Sequence, residues 1–248
     1  FSVFARSSDA KPANLHIQLV DADDKTIAQA TIKRLSKTWK KHELTLTSRA
    51  TVKNARLIVQ LEQAGKVDLD MVSLFPENTF HKRKNGLRSD LAQTIADMKP
   101  RFVRFPGGCV AHGNGIENIY HWKNTIGPLE ARKPQRNLWG YHQSYGLGYF
   151  EYFQFCEDLG AEPIPVVAAG VPCQNSGHHG HPIAGQQCGI PMEEMGDYIQ
   201  DILDLIEYAN GDVNTVWGKK RADAGHPEPF HLKYSGVGYE DLITDVFE

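Results

Sequence analysis

The chain has 248 residues, 41% of them hydrophobic, and a formal net charge of -3. That is enough apolar material for one large domain or two smaller ones, and no apolar run approaches the roughly 20 residues that span a bilayer. The mild acidity and the lack of a basic run argue against nucleic-acid or anionic-membrane partners, both of which need clustered Lys and Arg.

Residues 1–75 alternate with a period of two between turn clusters. The candidate strands are residues 1–6, 15–21, 26–34, 42–47, 55–62 and 67–75, clearest in Leu15-His16-Ile17-Gln18-Leu19 and Leu57-Ile58-Val59-Gln60-Leu61. This predicts an antiparallel β-sandwich of jelly-roll type, with Trp39 at a strand edge as core or rim rather than as a sugar platform. After Pro76 the period changes, which opens a second domain over residues 76–248. Leu87, Leu91, Ile95 and Met98 recur at helical spacing, and Pro100 closes that helix.

Phe102, Val103 and Phe105 then form a short apolar strand that Pro106, Gly107 and Gly108 stop abruptly, leaving a bare backbone to approach a ligand. Residues 111–145 are too rich in Gly, Asn, His and Trp to read as core, and so read as a functional loop. A helix over about 147–159, ended by Gly160, a strand over 163–167, a helix over about 194–209 and a strand over 230–237 complete the pattern. Helix and strand alternate from residue 87 onward, which predicts a parallel α/β arrangement with too few units to close a barrel. The chain starts inside a strand pattern without Met, so it reads as a fragment, and a missing signal peptide says nothing of compartment.

Glu240 stands out by position, because a carboxylate at the exit of a buried strand is where barrel enzymes keep catalytic groups; capping the next helix is the alternative. Cys109, Cys156, Cys173 and Cys188 are too few and scattered for a disulfide framework, and only Cys173 and Cys188, flanking one loop, are pairable. That loop holds His178, His179 and His181, ligand types zinc prefers, but its spacing matches no structural-zinc pattern, so neither a metal nor a cofactor is expected. Gly107 and Gly108 are no phosphate loop, since neither Gly-Lys-Ser/Thr nor G-x-G-x-x-G is present.

Several segments together resemble one family. Arg104-Phe105-Pro106-Gly107-Gly108-Cys109, Trp122-Lys123-Asn124-Thr125-Ile126-Gly127-Pro128, Tyr145-Gly146-Leu147-Gly148, Cys156-Glu157-Asp158-Leu159-Gly160 and Trp217-Gly218 are similar to glycoside hydrolase family 51, the α-L-arabinofuranosidases. The likeness covers residues 72–248, while residues 1–75 resemble the carbohydrate-binding-like jelly roll found beside the barrel in one branch of the family. It implies a retaining mechanism on a (β/α)8 barrel, of which this chain holds the first part, acting on arabinan or arabinoxylan-type plant polysaccharides. Glu240 takes the general acid/base role, the nucleophile lies on a later strand outside this chain, and Gly107, Gly108, Cys109, Trp122 and Tyr239 bind substrate. The resemblance also implies homo-oligomers, and a polysaccharide substrate implies a secreted or periplasmic parent.

Three positions depart from the family pattern. Tyr239 stands where Asn usually precedes the acid/base, Ala168 opens a strand end that is normally Asn-Ala-Gly, and His112 replaces a Glu. Each would remove a polar contact to the sugar, and such contacts strengthen in the transition state. The second reading is therefore a non-catalytic glycan-binding pseudoenzyme.

Overall fold

Period-two alternation builds six strands: β1 (Ser2–Ser7), β2 (Leu15–Val20), β3 (Thr26–Ile32), β4 (Lys40–Glu43), β5 (Arg56–Leu61) and β6 (Val67–Ser73). In the computed structural model, which describes residues 1–9, 12–173 and 189–239, they form two antiparallel three-stranded sheets, ordered β4-β1-β6 and β3-β2-β5. Val3 and Ala5 of β1, Leu15 and Ile17 of β2, and Ile32 of β3 are buried in one cluster with Leu35, so the two sheets share a core. Each fully buried Leu or Ile contributes roughly 1.5–3 kcal/mol, which fixes the register because a one-residue slip would turn the whole set outward. Between β2 and β3 the Asp21 carboxylate accepts from the backbone N–H of Asp23 and Lys25, at 3.0 and 2.9 Å, which closes the turn read from Asp23 and Asp24. Trp39 sits on the rim, half-exposed under the Arg6 guanidinium at 5.0 Å. The chain divides into two compact units, Phe1–Ser89 and Asp90–Glu248, so residues 76–89 pack with the first.

In the second unit, α1 (Ser89–Asp97) leads into β7 (Phe102–Phe105), and α2 (Cys109–His112) follows the glycine turn. Two short strands, β8 (Gln135–Arg136) and β9 (His142–Gln143), pair antiparallel before α3 (Tyr149–Leu159) and β10 (Glu162–Val167). Then come α4 (Met195–Asn210), α5 (Val216–Asp223) and β11 (Gly236–Val237). The strands β11-β10-β7 form a parallel sheet, with Glu162 beside Phe102 and Val167 beside Val237. Phe105 is the centre of its core, stacked on Tyr152 at 4.8 Å and edge-on to Tyr149 and Phe153. Gly160, left-handed at φ 64°, ends α3 as its sequence position predicts.

Three expectations are corrected, and one helix was not foreseen. The expected helix over residues 87–98 forms as α1, but Leu91, Ile95 and Met98 are exposed and only Ala92 of the helix is buried. Residues 111–145, expected to stay out of the core, contribute to it: Ala111, His112, Ile119, Tyr120, Trp122, Thr125, Arg132 and Tyr145 are buried. The Arg132 guanidinium is satisfied internally, as burial requires: it donates to the Gly127 and Tyr145 carbonyls and grips Glu151 through two nitrogens at 2.7 and 2.8 Å. The strand expected over 230–237 is reduced to Gly236 and Val237. Pro163 and Pro165 offer no N–H to a ladder, and β10 pairs with β11 only from Val166 onward. Finally, α5 has no apolar periodicity to betray it. Thr215 caps it by accepting from Gly218 N–H at 3.1 Å, and the fully buried Arg221 ties it to the carbonyls of Tyr208, Gly211 and Pro227.

Candidate active site

The C-terminal ends of the three parallel strands bring together residues that the sequence keeps more than a hundred positions apart. After β7, Gly107 adopts φ 142°, and Gly108 opens α2. After β11, Gly238 donates its N–H to Val167 O of β10 at 2.9 Å, which carries the next residue, Tyr239, across the sheet end. There the Tyr239 ring lies directly on Gly108: a Cβ added to that glycine would stand 1.9 Å from Tyr239 Cδ1. Gly108 has φ -90°, a conformation open to any residue, so the absence of a side chain serves the close approach of the ring rather than the backbone. The Arg104 guanidinium stands 4.8 Å from the centroid of the same ring, a cation–π contact that holds the ring in place. Arg104 is a site neighbour that sequence reading passed over, although it belongs to the same motif as the glycines.

Cys109, half-buried, is the first residue of α2. The far end of that helix is stapled to the end of β10: His112 Nδ1 lies 2.6 Å from Val171 O, and Cys173 N–H donates to Gly113 O at 3.1 Å. Thus His112, expected in a sugar-facing position, is fully buried against the chain after β10, and the buried Ala168 directly follows that strand. Gly107, Gly108, Cys109 and Tyr239 are therefore gathered at one sheet end. Glu240, the expected acid/base, lies outside the described residues, as do Cys188 and the histidines of its loop. Among the described residues no group of three His, Cys, Asp or Glu is placed to hold a metal ion.

Trp122 is corrected from a sugar-contacting residue to a core one. It is 2% exposed, donates its indole N–H to Asp201 O at 3.0 Å, and packs against Tyr208 and Trp217. Beside it Lys123 pairs with Asp201 and Asp204 and lies over the Trp217 ring at 4.8 Å. Burial works against that ammonium, but the bonds to Asp201 and Asp204 win and raise its pKa above the ordinary lysine value. For Asp204 burial again works against the charge, and the Lys123 bond prevails to lower its pKa. Cys156, by contrast, is pushed up to about 12 by burial, which leaves no thiolate for chemistry.

Known proteins resemble this chain in sequence and in fold. The family description "Alpha-L-arabinofuranosidase 1 domain" matches residues 94–247. An extracellular exo-α-L-arabinofuranosidase of Streptomyces chartreusis is 44% identical over 259 residues, covering 100% of this chain and 30% of that protein. α-L-Arabinofuranosidase 1 of Arabidopsis thaliana is 41% identical, covering 89% of this chain and 30% of its own length. The solved arabinose-bound MgGH51 α-L-arabinofuranosidase superposes with a TM-score of 0.83 at 35% identity, over 97% of this chain and 38% of that one. The chain spans about a third of the length of the relatives it matches. With the parallel sheet, the Gly107-Gly108-Cys109 turn and the family match over most of the second unit, the chain belongs to the α-L-arabinofuranosidases of glycoside hydrolase family 51.

Proposed function

We propose that this chain forms part of a retaining glycoside hydrolase that releases terminal α-L-arabinofuranosyl groups from arabinan or arabinoxylan-type plant polysaccharides. The observation that carries the reading is the meeting of Gly108, Cys109 and Tyr239 at the C-terminal ends of β7 and β11, within the family match. Glu240, next in sequence after Tyr239, acts as general acid/base. It protonates the departing glycosidic oxygen, then takes a proton from the water that cleaves the glycosyl-enzyme ester. The nucleophilic carboxylate comes from a strand outside residues 1–248, so these residues alone do not turn over substrate. The first unit serves as a carbohydrate-binding-like accessory module. An extracellular relative supports secretion of the parent, and homo-oligomers are part of the same proposal.

The test is hydrolysis by the complete polypeptide and its Glu240→Gln variant. Loss of an acid/base group costs about 10²- to 10⁴-fold on a substrate with a poor leaving group. An aryl arabinofuranoside with an activated leaving group is expected to lose less, because departure no longer needs the proton. Equal activity of the two proteins on the poor leaving group would refute the role.

A second reading has one specific observation behind it. The Tyr239 ring occupies the space over Gly108 at a position where the family pattern has Asn, which favours a pocket that holds a glycan without cutting it. An inert parent that gains activity on Tyr239→Asn would establish that reading instead.

A further inference from the structure

The segment that carries Tyr239 to the sheet end is held almost without strand pairing. β11 is two residues long, and its register with β10 rests on Gly236, which has no side chain, and on Val237, which is 54% exposed. A strand so short, with no buried side chain of its own, carries no pattern that specifies its register. A slip of one residue would carry Tyr239 about 3.3 Å along the sheet end and turn its ring away from Gly108. What holds the segment instead is a series of side-chain and backbone anchors upstream. The Asn210 amide, at the end of α4, accepts from Leu232 N–H at 2.7 Å and donates to Leu232 O at 2.8 Å, as a residue of a neighbouring strand would. Phe230 N–H donates to Ala209 O at 2.8 Å, and the Ser235 hydroxyl donates to Pro165 O at 3.1 Å. Lys233 pairs with Glu162 of β10. The His226 ring stacks on Phe230 at 4.1 Å and bridges Glu157 of α3 to the Glu228 carbonyl, at 2.8 and 2.7 Å.

Between two of these anchors His231 adopts φ 56°, in the left-handed region. A residue other than glycine persists there only where its surroundings over-determine it. Here Phe230 is bonded to Ala209 on one side and Leu232 to Asn210 on the other. The strained residue thus marks the point at which the segment is forced into one register. We propose that Asn210 is a positioning residue for the strand-end site: by gripping both backbone groups of Leu232 it locks the register of β11 and so sets Tyr239 over Gly108. The inference rests on the proposed glycosidase reading and adds to it a residue that lies outside the site. Asparagine suits the task because its amide carries a donor and an acceptor side by side. Aspartate in its place would set a carboxylate against the Leu232 carbonyl, and alanine would offer neither group. Two hydrogen bonds of ordinary strength shift an equilibrium between registers by about tenfold or more. The slipped form lacks the Tyr239–Gly108 contact and does not bind substrate, so saturating substrate draws the population back into register.

The experiment compares the complete polypeptide with its Asn210→Ala variant on an aryl α-L-arabinofuranoside, at a temperature well below the thermal midpoint of both. Asn210 is exposed, so its truncation leaves the core intact. The expected result is a rise in KM of about tenfold with less than about a twofold change in kcat. Asn210→Asp, of the same size, loses the donor alone and should give the same pattern. Hydrogen exchange supplies a second readout that needs no activity. The Gly238 amide, bonded to Val167 O, is expected to exchange about tenfold faster in Asn210→Ala, while amides inside α3 keep their rates. A lowered thermal midpoint with KM unchanged would make Asn210 a structural residue of the helix end and overturn the lock. If the complete polypeptide cuts no arabinofuranoside, the glycosidase reading fails by itself, and the Gly238 amide decides the lock alone: faster exchange in the variant supports it, and an unchanged rate overturns it.

Discussion

At the scale of single residues, the contact between Gly108 and Tyr239 joins two strand ends without any hydrogen bond. Its prediction is specific because the Gly108 backbone is ordinary, so any penalty from Gly108→Ala arises from the ring above it. Overpacking of this kind costs about 1–3 kcal/mol and displaces Tyr239 from the sheet end. In the complete polypeptide we expect Gly108→Ala to lower the thermal midpoint and raise KM for an aryl arabinofuranoside, and both effects to vanish in a Tyr239→Ala background. A double-mutant cycle measures that coupling. An equal penalty in both backgrounds would mean that something other than the ring requires the glycine. Arg104, whose guanidinium lies over the same ring, is the residue whose replacement should loosen Tyr239 without a steric clash.

At the scale of elements, the turn Trp122–Thr125 is held to α4 by Trp122 and by Lys123, which sits between Asp201 and Asp204. This pair has a defined pH signature. Asp204 is depressed in the folded protein, so its contribution is present above the unfolded carboxylate value of about 4 and is lost as pH falls through the folded value. Lys123 is raised, so its contribution is present below about 10.4 and is lost as pH climbs through the higher folded value. We expect Lys123→Met to cost about 1–3 kcal/mol at neutral pH, since it leaves a half-buried carboxylate without its charged donor. The difference from wild type should hold across about pH 5 to 9 and shrink at both extremes. A difference that does not shrink below about pH 4 would mean that Lys123 acts through packing on Trp217 alone.

At the scale of the whole molecule, each unit has its own core but leaves apolar surface uncovered. Leu91 and Met98 of the α1 region, Phe102 of β7 and Ile199 and Leu203 of α4 are all exposed, and β7 and β11 are the edges of the parallel sheet among the described residues. Uncovered apolar faces and open edges favour association over a single rigid site. We therefore expect residues 1–248 alone to bind a hydrophobic dye and to show no hydrolysis of an aryl arabinofuranoside. Measurable hydrolysis by this stretch would overturn the proposal that the nucleophile lies elsewhere.

The six strands of the first unit were legible because a half-buried strand writes its burial into alternate residues; Leu15 and Ile17 face inward as their spacing requires. The glycine turn after β7, the stop of α3 at Gly160 and the resemblance to family 51 were equally local, since turns and motifs are set by neighbours in sequence. The buried segment around Trp122 and Arg132 was not legible, because its polar groups are satisfied by distant carbonyls and carboxylates that no periodicity announces. Nor was α5, which depends on a Thr cap and on one arginine buried among carbonyls. By itself the sequence determined two architectures, their order and the family, all of which follow from local spacing. Only the tertiary structure decided that Trp122 supports the core and that Tyr239 rests on Gly108. Burial and close approach depend on what the rest of the chain brings alongside a residue.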